Sequence, residues 1–321
     1  GVNDVQDTSQ CCAPDRPTSP ADIIPNHSTI VSKGTGSTKG MVGLPGGEFL
    51  MGSDDEVGFP ADGEGPIRRV SLKPFYIDET SVTNTQFTRF VKSTHYQTEA
   101  EQFGWSFVFH LFLTKRARRE AAHAVTEVPW WLPVNGATWR HPEGPGSGVK
   151  DRMDHPTVHI SWNDAMRYSE WAGKRLPTEA EWEFSARGGL EQRRYAWGDE
   201  LTPGGEHRCN IWQGDFPSRD TAEDGYSGTA PSRSYEPNNY GLYNVAGNVW
   251  EWTADWFSAD HHVDGPLDNP HGPAQGDSRT TRGGSYLCHE SYCNRYRVAA
   301  RSSSTPDSST GNLGFRCALD A

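Results

Sequence analysis

The chain has 321 residues and a formal charge of −12. It is long enough to bury a sizeable core without disulfide staples, and its acidic balance argues against nucleic acid or an anionic membrane surface as main partner. No stretch approaches the roughly 20 apolar residues of a membrane-spanning helix, and the longest apolar run, residues 107–113, has the length of a strand.

Residues 1–39 are rich in Ser, Thr, Pro and Asp and show little periodicity. They read as a flexible tail or an extended wrap; Cys11 and Cys12 are adjacent, a poor geometry for bridging each other. Order is expected from about residue 40. Residues 68–82 alternate like strand, and then Thr83 and Gln86 form a capping-box pattern, with Phe87, Phe90 and Val91 on one helical face. A less patterned helix is expected near 115–125. A clearer one runs from about 163 to 172, striped by Ala165, Tyr168 and Trp171. Thr178 with Glu181, just after Pro177, starts another. Beyond Arg187 there is no strong helix signal, only turns between short strands. With 34 Gly, 22 Pro and 12 Trp, the chain reads as an ordered, turn-rich domain with a core of large rings. The predicted class is α+β, a single domain of low regular content, 40–321.

Six cysteines are present, and Cys288 and Cys293 stand out. A zinc site needs a second ligand pair, and no matching pair is found; a redox C-x-x-C is tighter. On a strand the odd spacing would put the side chains on opposite faces, so the segment must turn if both reach one site. Two sulfurs with no obvious third ligand suit a soft ion such as Cu(I), and Arg295, Arg297 and Arg301 can favour thiolate. A structural disulfide or two buried thiols fit the spacing equally well. Asn244, Asn248, Glu251 and Asp255 offer oxygens amid turns, as calcium requires, although a Trp-rich core strand explains them better on spacing alone. Asn210 and Asp224 repeat the theme in what reads otherwise as a polar loop. Ser309 and Asn312 are candidates to bond an extended peptide, against an ordinary surface turn. Pairing of Cys209 with Cys317 stays open. There is no H-E-x-x-H, G-x-S-x-G or Walker A motif.

Several segments together resemble one family. "RGGSYLCHESYCNRYRVAARSSSTPDSSTGNLGFRC" looks like the C-terminal signature of the formylglycine-generating enzymes, the sulfatase-modifying factors. "HPTVHISWNDAMRYSEWAGKRLPTEAEWEFSARGGL", "NIWQGDFP" and "NNYGLYNVAGNVWEWTADWF" match as well, and the likeness runs from about Met41 to the C-terminus. The resemblance implies the formylglycine-generating-enzyme fold, related to C-type lectin-like folds. It implies oxidation of a cysteine in the C-x-P-x-R motif of an unfolded sulfatase to Cα-formylglycine, with O2 as oxidant and a thiol reductant consumed.

By the same resemblance Cys288 and Cys293 hold Cu(I), Ser285 and Tyr292 line the oxygen pocket, Trp250 is a wall, and His289 follows the first cysteine in a less defined role. Ser309, Asn312 and Trp105 lie on the substrate side, Trp105 standing where some relatives carry an aspartate. Structural calcium is implied at Asn210, Ile211, Asp224 and Tyr226, and again at Asn244, Gly247, Val249 and Glu251. Secretory-pathway relatives carry two disulfides; here three of those positions hold Ser169, Ala186 and Val298, leaving Cys317 without its partner. That favours a bacterial-type enzyme in a reducing cytoplasm; nothing in the sequence suggests an obligate interface, so a monomer is expected. The competing readings are a non-catalytic peptide-binding module of the same fold and a metal-free thiol–disulfide oxidoreductase.

Overall fold

Side-chain caps set where the helices begin. In the computed structural model, which describes residues 12–17, 36–121 and 127–321, helix α1 (Asn84–Thr94) opens on the expected Thr83–Gln86 capping box. Helix α2 (Glu99–Phe103) opens on Thr98–Glu101; its five residues are too few to show the apolar period that the sequence reading relied on. Helix α3 (Lys115–Glu120) is capped by Thr114 and covers the first half of the expected 115–125 span; residues 122–126 lie outside those described. Helix α4 (Trp162–Trp171) begins on Ser161–Asp164, and α5 (Glu179–Arg187) on the expected Thr178–Glu181. Each cap satisfies amide groups that have no helical partner, a contribution of about 1 kcal/mol.

The strands are short. β1 (Met41–Leu44) pairs with β4 (Phe75–Asp78), which also carries the last strand of the chain, β13 (Ala318–Asp320). β2 (Gly47–Met51) pairs with β3 (Arg68–Leu72), β5 (Trp105–Phe109) with β6 (Trp131–Asn135), and β7 (Gly214–Asp215) with β8 (Arg219–Asp220). The remaining sheet has the order β11–β10–β9–β12, with β9 (Trp250–Trp256) beside β10 (Arg279–Arg282) and β12 (Leu313–Gly314), and β11 (Ser302–Ser304) at its edge. This is the α+β class of low regular content read from the sequence. The ring-built core is also there: Trp131, Trp139, Trp182, Trp212, Trp250 and Trp252 are fully buried. No helix among the described residues is long and apolar enough to cross a membrane.

Of the expected N-terminal segment, residues 1–11, including Cys11, and 18–35 lie outside those described. Residues 12–17 are described, and Cys12, Ala13 and Arg16 are buried.

Long loops in the C-terminal third lack ladder hydrogen bonds, and buried arginines take over that role. Arg282 pairs with Glu179 at 2.9 Å and Glu183 at 2.6 Å, and donates to the carbonyls of Val298 and Ala300. Arg301 also grips Glu179. Arg295 reaches Asp62, Arg297 grips Glu64 with two bonds, and Arg316 grips Glu251 with two. A charge in such a place is tolerated only when paired, and removing one partner of a buried pair costs about 3–5 kcal/mol.

These pairs set the acid limb of stability. Burial alone would raise Glu179, but Arg301 and Arg282 outweigh it and hold the carboxyl at about 2; Arg187 and Arg282 do the same for Glu183, also about 2. Both are depressed, so their contribution is present above the ordinary value of 4.5 and is lost as pH falls toward 2. Asp255 is the reverse case. Burial, helped by the negative Glu179, pushes it to about 8, so its contribution is present below 3.8 and disappears as pH rises through 8. The denaturant midpoint is therefore expected to peak in mildly acidic buffer, falling on both sides, and Asp255→Asn is expected to flatten the alkaline fall while leaving the acid limb intact.

Candidate active site

Two glycines turn the chain into the site. Gly283 and Gly284 follow β10 with φ of 102° and 73°, and a Cβ on Gly284 would stand 3.0 Å from the backbone nitrogen of Tyr296, so a side chain there is excluded. Ser285, wholly buried, accepts at its carbonyl from Cys288 N at 3.0 Å. The His289 carbonyl then accepts from Cys293 N at 2.8 Å and Tyr292 N at 3.1 Å. This is the turn that the odd cysteine spacing requires, and it brings the Cys288 and Cys293 sulfurs to 3.4 Å. Both are buried. The separation is well beyond the ~2.05 Å of a disulfide.

The other expected residues divide into those at the sulfurs and those near them. Asn312 Nδ2 donates to Ser285 Oγ at 2.9 Å, and Ser285 N donates to Cys288 Sγ at 3.4 Å. Trp250, fully buried on β9, is tied to the same place because its N–H bonds the Asn312 carbonyl; its indole N–H is buried without an acceptor. Tyr292 gives its hydroxyl proton to Leu287 O at 2.7 Å and stacks its ring on Phe216 at 3.9 Å. His289 contributes its backbone to the turn, while its half-buried ring bonds Ser291.

Residues 12–17 run over this pair. Cys12 Sγ lies 3.2 Å from Cys293 Sγ, and Asn312 Nδ2 donates to Cys12 O at 2.7 Å. Arg16 sits 4.2 Å from the ring centres of both Phe103 and Trp105, and donates to Trp105 O and Ser309 Oγ, each at 3.0 Å. Thus Trp105, Ser309 and Asn312, assigned to one side by resemblance, do come together in one groove.

Sequence reasoning missed His159, which orients that groove. Its Nε2 faces the Pro142 carbonyl at 2.7 Å, which can only accept. Nε2 therefore carries the proton and Nδ1 accepts from Ser106 Oγ at 2.7 Å. Ser106 in turn takes the Ser309 hydroxyl proton at 2.8 Å, which turns a Ser309 lone pair toward the guanidinium. Burial lowers His159 to about 4, so the ring stays neutral and the chain of bonds keeps its direction. Phe216 and Asp62 were missed too; both come from loops with no periodic signal.

The electrostatics correct one expectation. Arg297 and Arg301 are spent on Glu64 and Glu179, and only Arg295 reaches the sulfurs, 3.8 Å from Cys293 and 3.3 Å from Cys12. Burial first, and the adjoining Cys293 second, push the Cys288 thiol well up. The nearby cations are fewer than the sequence proximity promised, and desolvation wins. Cys209 and Cys317 are both buried thiols and do not pair; Ser169 Oγ stands 3.4 Å from Cys317 Sγ.

Each of the two oxygen-rich loops holds a buried oxygen without a hydrogen-bond partner. Asp224 accepts from the amides of Ile211 and Tyr226 and from Gln213, and Asn210 Oδ1 is buried with no hydrogen-bond partner. Asn244 Oδ1 is likewise buried and unpartnered. Two orphaned oxygens at the head of the two expected sets fit a hard cation. Glu251 fits less well, since Arg316 and Trp182 already occupy its carboxylate.

Residues 27–321 match the model of the sulfatase-modifying factor enzyme 1-like domain. The chain belongs to the sulfatase-modifying factor family. Its relatives in that family include the formylglycine-generating enzyme of Thermomonospora curvata, 62% identical over 88% of this chain and 94% of the relative. The formylglycine-generating enzyme of Streptomyces coelicolor is also 62% identical, over 89% and 90%. The inactive Cα-formylglycine-generating enzyme 2 of Bos taurus is 49% identical over 90% of each chain. In fold, the chain is similar to PvdO of Pseudomonas aeruginosa, with a TM-score of 0.63 at 24% identity over 88% of this chain and 94% of that one.

In the reduced, metal-free protein, alkylation of Cys288 is expected to be slow at pH 7 and to rise without a plateau up to pH 9, as mass spectrometry of the labelled peptide would record. A plateau near neutrality would mean a thiolate already stabilised by the protein.

Proposed function

We propose that this chain is a formylglycine-generating oxidase. It converts the cysteine of a C-x-P-x-R motif in an unfolded sulfatase to Cα-formylglycine, using O2 and a thiol reductant. The observation that carries this reading is the buried pair of sulfurs 3.4 Å apart, facing a groove equipped to hold an arginine. The donor set of Cys288 and Cys293 is sulfur, which selects Cu(I) over harder ions; bound copper supplies the O2 activation that side chains do not.

The rest falls to the chain's own residues. Asn312 anchors the carbonyl of the client cysteine. Phe103, Trp105 and Ser309 clamp the client arginine, so that the thiol arrives against Cys293. Arg295 lies where it favours the thiolate of an incoming cysteine. Trp250, Tyr292 and Phe216 wall the site from water. Because the Tyr292 proton is committed to Leu287 O, Tyr292 offers the pocket a lone pair and a ring edge. Asn210, Ile211, Asp224 and Tyr226 would hold one structural calcium and Asn244, Gly247, Val249 and Glu251 a second, the latter only if Glu251 shares its carboxylate with Arg316. The setting we propose is the bacterial cytoplasm, as a monomer, consistent with buried Cys209 and Cys317 remaining thiols.

The inactive bovine relative favours one alternative, a peptide-binding module without chemistry. A C-x-P-x-R peptide with Cu(I), dithiothreitol and air separates the two. The oxidase reading expects a loss of about 18 Da that requires both copper and O2 and vanishes in Cys293→Ala. A bound but unchanged peptide would favour the binding module. Trp105→Ala is expected to raise KM about tenfold for an arginine peptide and to leave a peptide with leucine at that position nearly unchanged. Chelation by EGTA is expected to lower Tm, and Asn210→Ala to shrink that shift.

A further inference from the structure

The segment lying over the sulfur pair reads Cys12-Ala13-Pro14-Asp15-Arg16. It is a C-x-P-x-R sequence within the chain itself. We propose that residues 12–16 are a substrate of their own active site, with Cys12 the residue converted to formylglycine. The inference rests on the reaction proposed above and adds a modification site to it.

The segment is held along its length. Cys12 offers its sulfur to Cys293 at 3.2 Å and to Arg295 Nη1 at 3.3 Å, and its carbonyl takes the Asn312 amide at 2.7 Å. Asp15 Oδ1 accepts from Thr305 N at 2.9 Å. Arg16 N donates to Ser308 Oγ at 2.8 Å and its Nε to Asp307 O at 3.1 Å, while its guanidinium lies between Phe103 and Trp105. Cys12 and Arg16 are 1% and 2% exposed, so a polar arginine from an otherwise unpatterned stretch has been drawn almost wholly out of water. A cation costs too much to bury by accident; it needs a site shaped for it. The motif's cysteine and arginine each meet the feature that recognises that residue type, and the spacing between them matches the spacing between the sulfur pair and the aromatic clamp. Cys11, one residue outside this register, provides an internal control.

The conversion balances as follows. The Cys12 side chain loses two electrons as its carbon–sulfur bond is replaced by a carbon–oxygen double bond, sulfur leaving as hydrogen sulfide. Two molecules of a thiol reductant supply two more electrons and become a disulfide. O2 takes all four, giving two water molecules, one of which is consumed in releasing the sulfur.

The full chain, loaded with one equivalent of Cu(I) and incubated with dithiothreitol and air, is digested and its N-terminal peptide weighed, with a separate C-x-P-x-R peptide present as a second substrate. The expected result is the mass loss on Cys12, an aldehyde there that reacts with an aminooxy reagent, and an unchanged Cys11. Conversion of the added peptide with Cys12 intact would overturn the self-substrate proposal and leave the proposed function standing. Failure of both would overturn both.

A metal-free measurement tests the seating apart from turnover. Under reducing conditions, Arg16→Ala is expected to speed alkylation of Cys12 at least tenfold and to tighten binding of a fluorescent C-x-P-x-R peptide. Equal alkylation rates for Cys11 and Cys12, unaffected by Arg16→Ala, would show that the segment does not occupy the groove and would overturn the proposal.

Discussion

The active-site loops are held by buried arginine–carboxylate pairs more than by backbone ladders. Arg282, Arg295, Arg297, Arg301 and Arg316 all come from the C-terminal forty residues, and their partners come from three separate places: the loop at Asp62 and Glu64, helix α5, and strand β9. Each pair crosses between segments far apart in sequence. Strands of two to seven residues cannot position a turn to within a fraction of an ångström, but a guanidinium bonded at both ends can. The pairs cost desolvation, so they add little net stability over hydrophobic packing; what they add is a fixed geometry for the 283–301 loop that carries both cysteines.

That rigidity matters because the chemistry at the site is unfavourable to its own reactive form. Burial pushes the Cys288 thiol well up, and of the three arginines that follow the pair, Arg295 is the one that lies against the sulfurs. A soft metal changes the balance, since coordination displaces the thiol proton and couples binding to pH. The groove beside the pair is organised differently. Neutral His159, Ser106 and Ser309 pass one hydrogen-bond direction outward, so oriented lone pairs and two ring faces meet the guanidinium there.

Much of this was legible in the sequence where local chemistry decides structure. The capping boxes at Thr83 and Thr178 mark real helix starts, the tryptophans form the core, and the spacing of Cys288 and Cys293 requires the turn that is found. Ser309, Asn312 and Trp105, distant in sequence, were joined only through resemblance, because nothing local to each tells of a shared groove. The arginines were visible near Cys288 but their partners were not: Arg297 and Arg301 looked like thiolate-stabilising charges until Glu64 and Glu179 claimed them. His159 and Phe216 carry no pattern at all. The 12–17 segment was hidden by composition, since a Ser- and Pro-rich stretch reads as tail even when five of its residues spell a motif.

The central claim is that Cys288 and Cys293 form a soft-metal site whose third sulfur is a cysteine of the C-x-P-x-R class. X-ray absorption at the copper edge on protein loaded anaerobically with one equivalent of Cu(I) tests it directly. Sulfur-only coordination is expected, with fewer sulfurs in Cys12→Ser than in the unaltered chain, and the higher number restored when a C-x-P-x-R peptide is added. Nitrogen or oxygen ligands, or a spectrum unchanged in Cys293→Ser, would contradict it.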